Sequence, residues 1–170
     1  MYERKTGRMR AMKSRWRLGC FLVLSLAWMI VIFCFSAQPD TQSSLLSGRF
    51  SYRIVRIFAS LFGMEMTESA LVQAAAMIDF PIRKCAHMSE YAILAMLYFG
   101  ITGNLLEGKR GYQAAFLGAV FYACTDEFHQ LFVPGRAGRL LDVCIDATGA
   151  VCGLGFLFMI QWFIKKIRKR

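Results

Sequence analysis

The run LGCFLVLSLAWMIVIFCF at residues 18–35 constrains the fold of this chain more than any other feature, because it carries no charge over eighteen positions. In a helix rising about 1.5 Å per residue it covers most of a hydrocarbon layer roughly 30 Å thick. A helix apolar on every side has no face to offer water, so the run predicts a membrane span. VCIDATGAVCGLGFLFMIQWFI at 143–164 is longer and holds one charge, Asp146, which predicts a second. Residues 85–103 and 111–128 are apolar for most of their length but gather His87, Glu90, Asp126 and Glu127 toward one end. They predict two more. The expected architecture is therefore all-α: a polytopic membrane protein with one four-transmembrane-helix domain over 18–164, between a basic segment at 1–17 and a basic tail at 165–170. A hydrophobic content of 56% fits a membrane protein better than a soluble domain.

A cleaved signal peptide is the competing reading of the first run. The run is longer than a usual 7–15-residue signal core, and cleavage after Ala37 would place the bulky Phe35 at the third position before the cut. An uncleaved anchor is expected instead.

Lysine and arginine set the orientation. Fourteen lie in the amino terminus, in the EGKRG loop and in the tail, against seven in segments 36–85 and 126–142. An even number of spans puts both termini in one compartment, and the excess of positive charge makes it the cytoplasm. The net charge of +10 then reflects span-flanking segments that meet anionic lipid headgroups, and no nucleic acid is needed to explain it.

On this topology the polar clusters SAQPD, PIRKCAHMSEY, TDEFHQ and LLDVCID all fall at the outer leaflet. Lys84, His87 and Glu90 or Tyr91 are three or four residues apart and share a helix face, as do Asp126, His129 and Gln130. Asp142, Asp146, Gly149 and Gly153 form one stripe whose glycines admit a close neighbour. Ionisable groups at that depth are costly against lipid and mark a candidate site. Each has a plainer reading. Asp142 suits a helix amino terminus, His129 suits the headgroup level, and Glu90 and Asp146 suit ion pairs with Lys84, Arg136 or Arg139. Their shared location is harder to explain that way.

Between the first two spans, Leu46, Phe50, Ile54, Ile57, Phe58 and Leu61 recur at helical spacing, with Arg49, Arg53 and Arg56 on another face. Residues 45–62 predict an amphipathic helix in the outer headgroup layer. Thr67 is placed to cap a short helix at 68–78, and Pro81 to open the second span. The six cysteines form no disulfide framework or CxxC site, and Trp16 and Trp162 sit at interfacial positions.

FSAQPD, RKCAHMSEYAIL and DEFHQLFVPGRAGRLLDVCIDATGAVCG together resemble the VanZ-like family of bacterial membrane proteins, named for a teicoplanin-resistance protein, over about residues 28 to 155. The family pattern corresponds here to Ser36, Gln38, Pro39, Lys84, His87, Glu90, Tyr91, Asp126, Glu127, His129, Gln130, Phe132, Arg136, Asp142, Asp146 and Gly149. The resemblance implies a bacterial cytoplasmic membrane protein linked to glycopeptide resistance at the cell envelope.

Three mechanisms stand open. An enzyme acting on a lipid-linked or cell-wall substrate would use His87 or His129 as general base, oriented by Glu90 or Asp126, with Asp146 below them. Lys84 and Arg136 would hold an anionic headgroup, with Ser36, Gln38, Tyr91, Glu127, Gln130 and Asp142 completing the pocket. A divalent metal held by His87, Glu90, Asp126, His129 and Asp146 is a variant of this, although their spacing matches no established motif such as HExxH. A binding module would grip a lipid or glycopeptide without turnover. A small proton-coupled transporter would use the buried acids as a relay, but four spans without an inverted repeat are few for that task.

Overall fold

The structure is a computed structural model that describes the backbone of residues 2–168 and the side chains of residues 15–168. The side chains of the basic segment before residue 15, and the last two residues of the basic tail, lie outside the described residues. Among the described residues the chain is all-α, with five helices: α1 Tyr2–Ser36, α2 Asp40–Leu61, α3 Glu68–Leu105, α4 Lys109–Gln130 and α5 Leu140–Arg168.

Local chemistry sets the boundaries. Pro39 disfavours helical backbone at Gln38, so α1 stops and α2 starts afresh at Asp40. At the far end of α2, Met64 N–H donates to the Ala59 carbonyl at 2.8 Å and Gly63 N–H to that of Ser60 at 3.4 Å. This is a Schellman closure, and Gly63 supplies its left-handed residue at φ +63°. Thr67 caps α3 as expected, its hydroxyl accepting from Ala70 N–H at 3.3 Å.

The separate helix at 68–78 is not formed. It is continuous with the following segment, and Pro81 lies inside α3. Proline removes one backbone donor and crowds the preceding turn, but side chains on both sides of it are tied down. Arg83 pairs with Asp79 one turn back at 3.0 Å and with Asp40 of α2 at 3.0 Å, while Ser51 of α2 donates to Asp79 at 3.0 Å. A helix of 38 residues runs about 57 Å, nearly twice the hydrocarbon thickness. Its first part pairs with α2 as an antiparallel hairpin.

The amphipathic segment at 45–62 is the larger part of α2, and its apolar stripe is left exposed. Leu46, Phe50, Ile57, Phe58 and Leu61 are exposed, whereas Ser51 and Ala59 are buried.

Helix α3 is central and packs against the other four. Ala115, Ala119 and Ala123 make a fully buried stripe of small residues on α4. Gly149 and Gly153 bring α5 onto the α3 backbone at Met88 and Ala92. Helix α1 is tied on by the Trp28 indole, which donates to the Glu90 carbonyl at 2.9 Å, and by Tyr122 of α4, which donates to the Met29 carbonyl at 2.7 Å.

By length and composition two helical segments, Arg15–Ser36 and Leu140–Arg168, suffice to cross a membrane. The expected spans in α3 and α4 do not meet that measure, because ionisable residues occupy one end of each apolar run. Exposed large apolar side chains occur on all five helices.

Candidate functional site

Where α4 ends and α2 and α5 begin, the chain forms a polar cavity of about 250 Å³. Helix α3 contributes Lys84 and His87 one turn apart, and α4 contributes Glu127 and Gln130. The 131–139 loop adds Arg136 and Arg139, and α5 adds Asp142 and Asp146, again one turn apart. With Asp40 of α2, residues from four helices and one loop therefore meet in a single space.

The acids fall into two groups. Asp142 accepts from the Lys84 ammonium at 2.6 Å, and Glu127 accepts from the Arg139 backbone N–H at 2.9 Å. Glu90, Asp126 and Asp146 each retain one buried oxygen without a hydrogen-bond partner. Asp146 is 2% exposed and Asp126 3%. Asp146 has Glu127, Asp126, Glu90 and Asp142 as carboxylate neighbours, and none of the ion pairs found among the described residues includes it. Leaving a buried acceptor unsatisfied costs about 1–3 kcal/mol, and more for a charged one. Packing alone gives no reason to keep three.

Around these acids, Gln130 donates to Asp126 at 3.2 Å, and the Ser36 hydroxyl lies beside the same carboxylate. Tyr91 is wholly buried near Asp126 and Asp146, its hydroxyl unpartnered. His87 Nδ1 stands 3.7 Å from Glu90 Oε2, too far for a hydrogen bond. Glu90 and Gln38 line a second, larger cavity that adjoins the first.

Four expected residues, Ser36, Tyr91, Asp126 and His129, line neither cavity. His129 does not line the polar cavity; its ring packs on Phe33 of α1 at 4.5 Å between centroids. Asp126 is the buried floor of the cluster and lines neither cavity. The cations are also placed differently from the sequence expectation. Lys84 is held by Asp142, and Arg136 donates to the carbonyls of Gln38 at 2.9 Å and Phe35 at 3.1 Å. Arg136 thus fastens the α1–α2 link over the site. Arg136→Lys is expected to lose this forked contact and about 1.5–3 kcal/mol of stability, read as a lower thermal midpoint without any ligand. An arginine serving only a headgroup would leave that midpoint unchanged.

Arg83 and Asp40, which the sequence did not single out, and Arg139, expected only as an ion-pair partner for the acids, all line the polar cavity. The i,i+4 spacing of Asp79 and Arg83 signalled one partnership. Arg139 makes no side-chain hydrogen bond or ion pair among the described residues, a fact that spacing does not reveal. Among the described residues, no three His, Cys, Asp or Glu side chains are grouped to hold a metal ion, so geometry adds no support to the metal variant.

Such a bundle, with apolar helices able to span a bilayer and acids from three helices collected around one cavity, defines a class: a small membrane protein with a polar pocket at one end. The family model for VanZ/LLP1 matches residues 21–162, and the chain belongs to the VanZ/LLP1 family. No curated protein and no solved structure matches the chain.

Proposed function

We propose that this protein spans the bacterial cytoplasmic membrane four times with both termini inside, and that the polar cavity opens at the outer face. There it acts on the head of a lipid-linked cell-envelope molecule. The observation that carries the reading is the trio of buried carboxylate oxygens on Glu90, Asp126 and Asp146 without hydrogen-bond partners, contributed by α3, α4 and α5. Asp146, which lines the polar cavity, and Glu90, which lines the adjoining one, suit a ligand rich in hydroxyl or amine donors, with Asp126 buried behind them. The Arg139 guanidinium and Lys84, at the same cavity, suit an anionic group such as phosphate. His87, beside Glu90, is the candidate general base, and catalysis on the bound head ranks ahead of binding alone. An effect on teicoplanin action at the outer surface is the expected cellular consequence.

The test compares Glu90→Gln, His87→Ala and Asp126→Asn in a teicoplanin-susceptible bacterium, scoring susceptibility together with binding of inorganic phosphate to the purified protein. Under a catalytic role, each variant loses the susceptibility change that the wild type confers and still binds phosphate as the wild type does. Lost binding in all three supports the non-catalytic alternative. Unchanged susceptibility in all three removes the cavity from the function.

A further inference from the structure

The polar cavity does not stand alone. A second cavity of about 730 Å³ runs between α2 and α3 from the end of α1, a size within the usual ligand range of about 300–1,000 Å³. Arg83, His87 and Arg136 line both spaces. The two differ in chemistry. The small one is walled mainly by charged groups, whereas the large one has Phe35, Leu46, Phe50, Ile54 and Ile82 along its length.

Leu46, Phe50 and Ile54 recur every four residues on α2, and all three are exposed even though α2 packs against α3 through Ser51 and Ala59. That packing leaves the apolar stripe facing an open groove, with the shared arginines and histidine at its polar end. We propose that the two cavities bind one amphiphile: a long-chain phosphate monoester whose head enters the polar cavity past His87 while its single hydrocarbon chain lies along the α2–α3 groove. The proposal rests on the headgroup reading above and adds the chain to it. The occupant follows from continuity, because a head held beside Arg83, His87 and Arg136 has its attached chain at the mouth of an apolar channel lined by the same residues. Burying the chain removes apolar surface from water and contributes about a fourfold gain in affinity per methylene.

The experiment uses the full-length protein in phosphatidylcholine nanodiscs. Binding of inorganic phosphate, butyl phosphate and octyl phosphate is measured by thermal shift, in the wild type and in Ser47→Trp and Phe50→Gln. Ser47→Trp fills the groove. Phe50→Gln makes its wall polar at an exposed position that tolerates the change. The expected result is affinity that climbs from inorganic phosphate to octyl phosphate by at least a hundredfold in the wild type, and by less than tenfold in either variant, with inorganic phosphate bound equally in all three. Phosphate binding without any chain-length dependence would overturn the groove assignment and leave the headgroup reading standing. The same gain with chain length in the wild type and both variants would overturn it too, since the chain would then be held by the bilayer. Absence of binding by all three ligands, with Lys84→Met indistinguishable from wild type, would remove both readings.

Discussion

Gly149→Val is expected to prevent the protein from reaching its native packing. A Cβ at residue 149 would be driven into the backbone carbonyl of Met88, and its nearest atoms are all main chain of α3. A flexible side chain could swing away from such an intrusion, but a helix backbone cannot move without carrying its neighbours along. Gly153 meets Ala92 of α3 in the same way one turn further on, so relief at one position tightens the other. Overpacking typically costs about 1–3 kcal/mol, and a clash with main chain belongs at or above the upper end. The contact of α3 with α5 is the most extensive between any two helices. It also brings Lys84 to Asp142, so the site is lost together with the packing. Gly155 is the internal control, because a Cβ there meets nothing within 4 Å. Gly155→Ala is expected to be neutral or to stabilise by up to about 1 kcal/mol, through helix propensity alone. Folded yield on size exclusion and the thermal midpoint in detergent check both variants. A Gly149→Val protein that matches the wild type in both would show that α5 does not press on α3 as described.

Asp146→Asn is expected to make the protein more stable and less active at once. The residue is 2% exposed, one of its oxygens has no partner, and its neighbours include four other carboxylates. Asparagine has nearly the same shape and brings two donors into a space rich in acceptors. Removing the acid should relieve about 1–3 kcal/mol of unsatisfied burial, seen as a thermal midpoint raised by several degrees. Under the proposed function, the change in teicoplanin susceptibility conferred by the wild type vanishes in the same variant, as expected of a destabilising group retained for function at the expense of stability. A lower midpoint for Asp146→Asn would mean that the carboxylate holds the bundle together, and would take away the strongest reason for placing chemistry there.

The sequence reveals the surroundings of Gly149 and Asp146 to different degrees. The 4-3-4 spacing of Asp142, Asp146, Gly149 and Gly153 already places acids and glycines on one stripe, and a stripe of glycines asks for a close neighbour. Which helix fills that space is not written in the spacing. Lys84 was legible as a cation near an acid, but its partner Asp142 lies 58 residues away and is chosen by the register of α5 on α3. Arg136 looked like a headgroup ligand because its fork suits phosphate. The same fork also suits two carbonyls near the end of α1, and only the approach of the loop to residues 35–38 reveals that Arg136 holds them. Pro81 misled for a related reason. As local chemistry it marks a helix start, and contacts from α2 on both sides of it hold one continuous helix instead.

By itself the sequence determined the helical class, the apolar runs, the Thr67 cap, the amphipathic stripe of α2 and the family, since each depends on residue type and on spacing within a turn or two. Only the tertiary structure decided which acids are paired with cations and which are left bare, that His129 leaves the cavity while Arg83 and Arg139 enter it, and that α2 leaves its apolar side exposed. The physical reason is that periodicity fixes the face of a helix on which a side chain stands, whereas partners and burial depend on how one helix is rotated and displaced against the next.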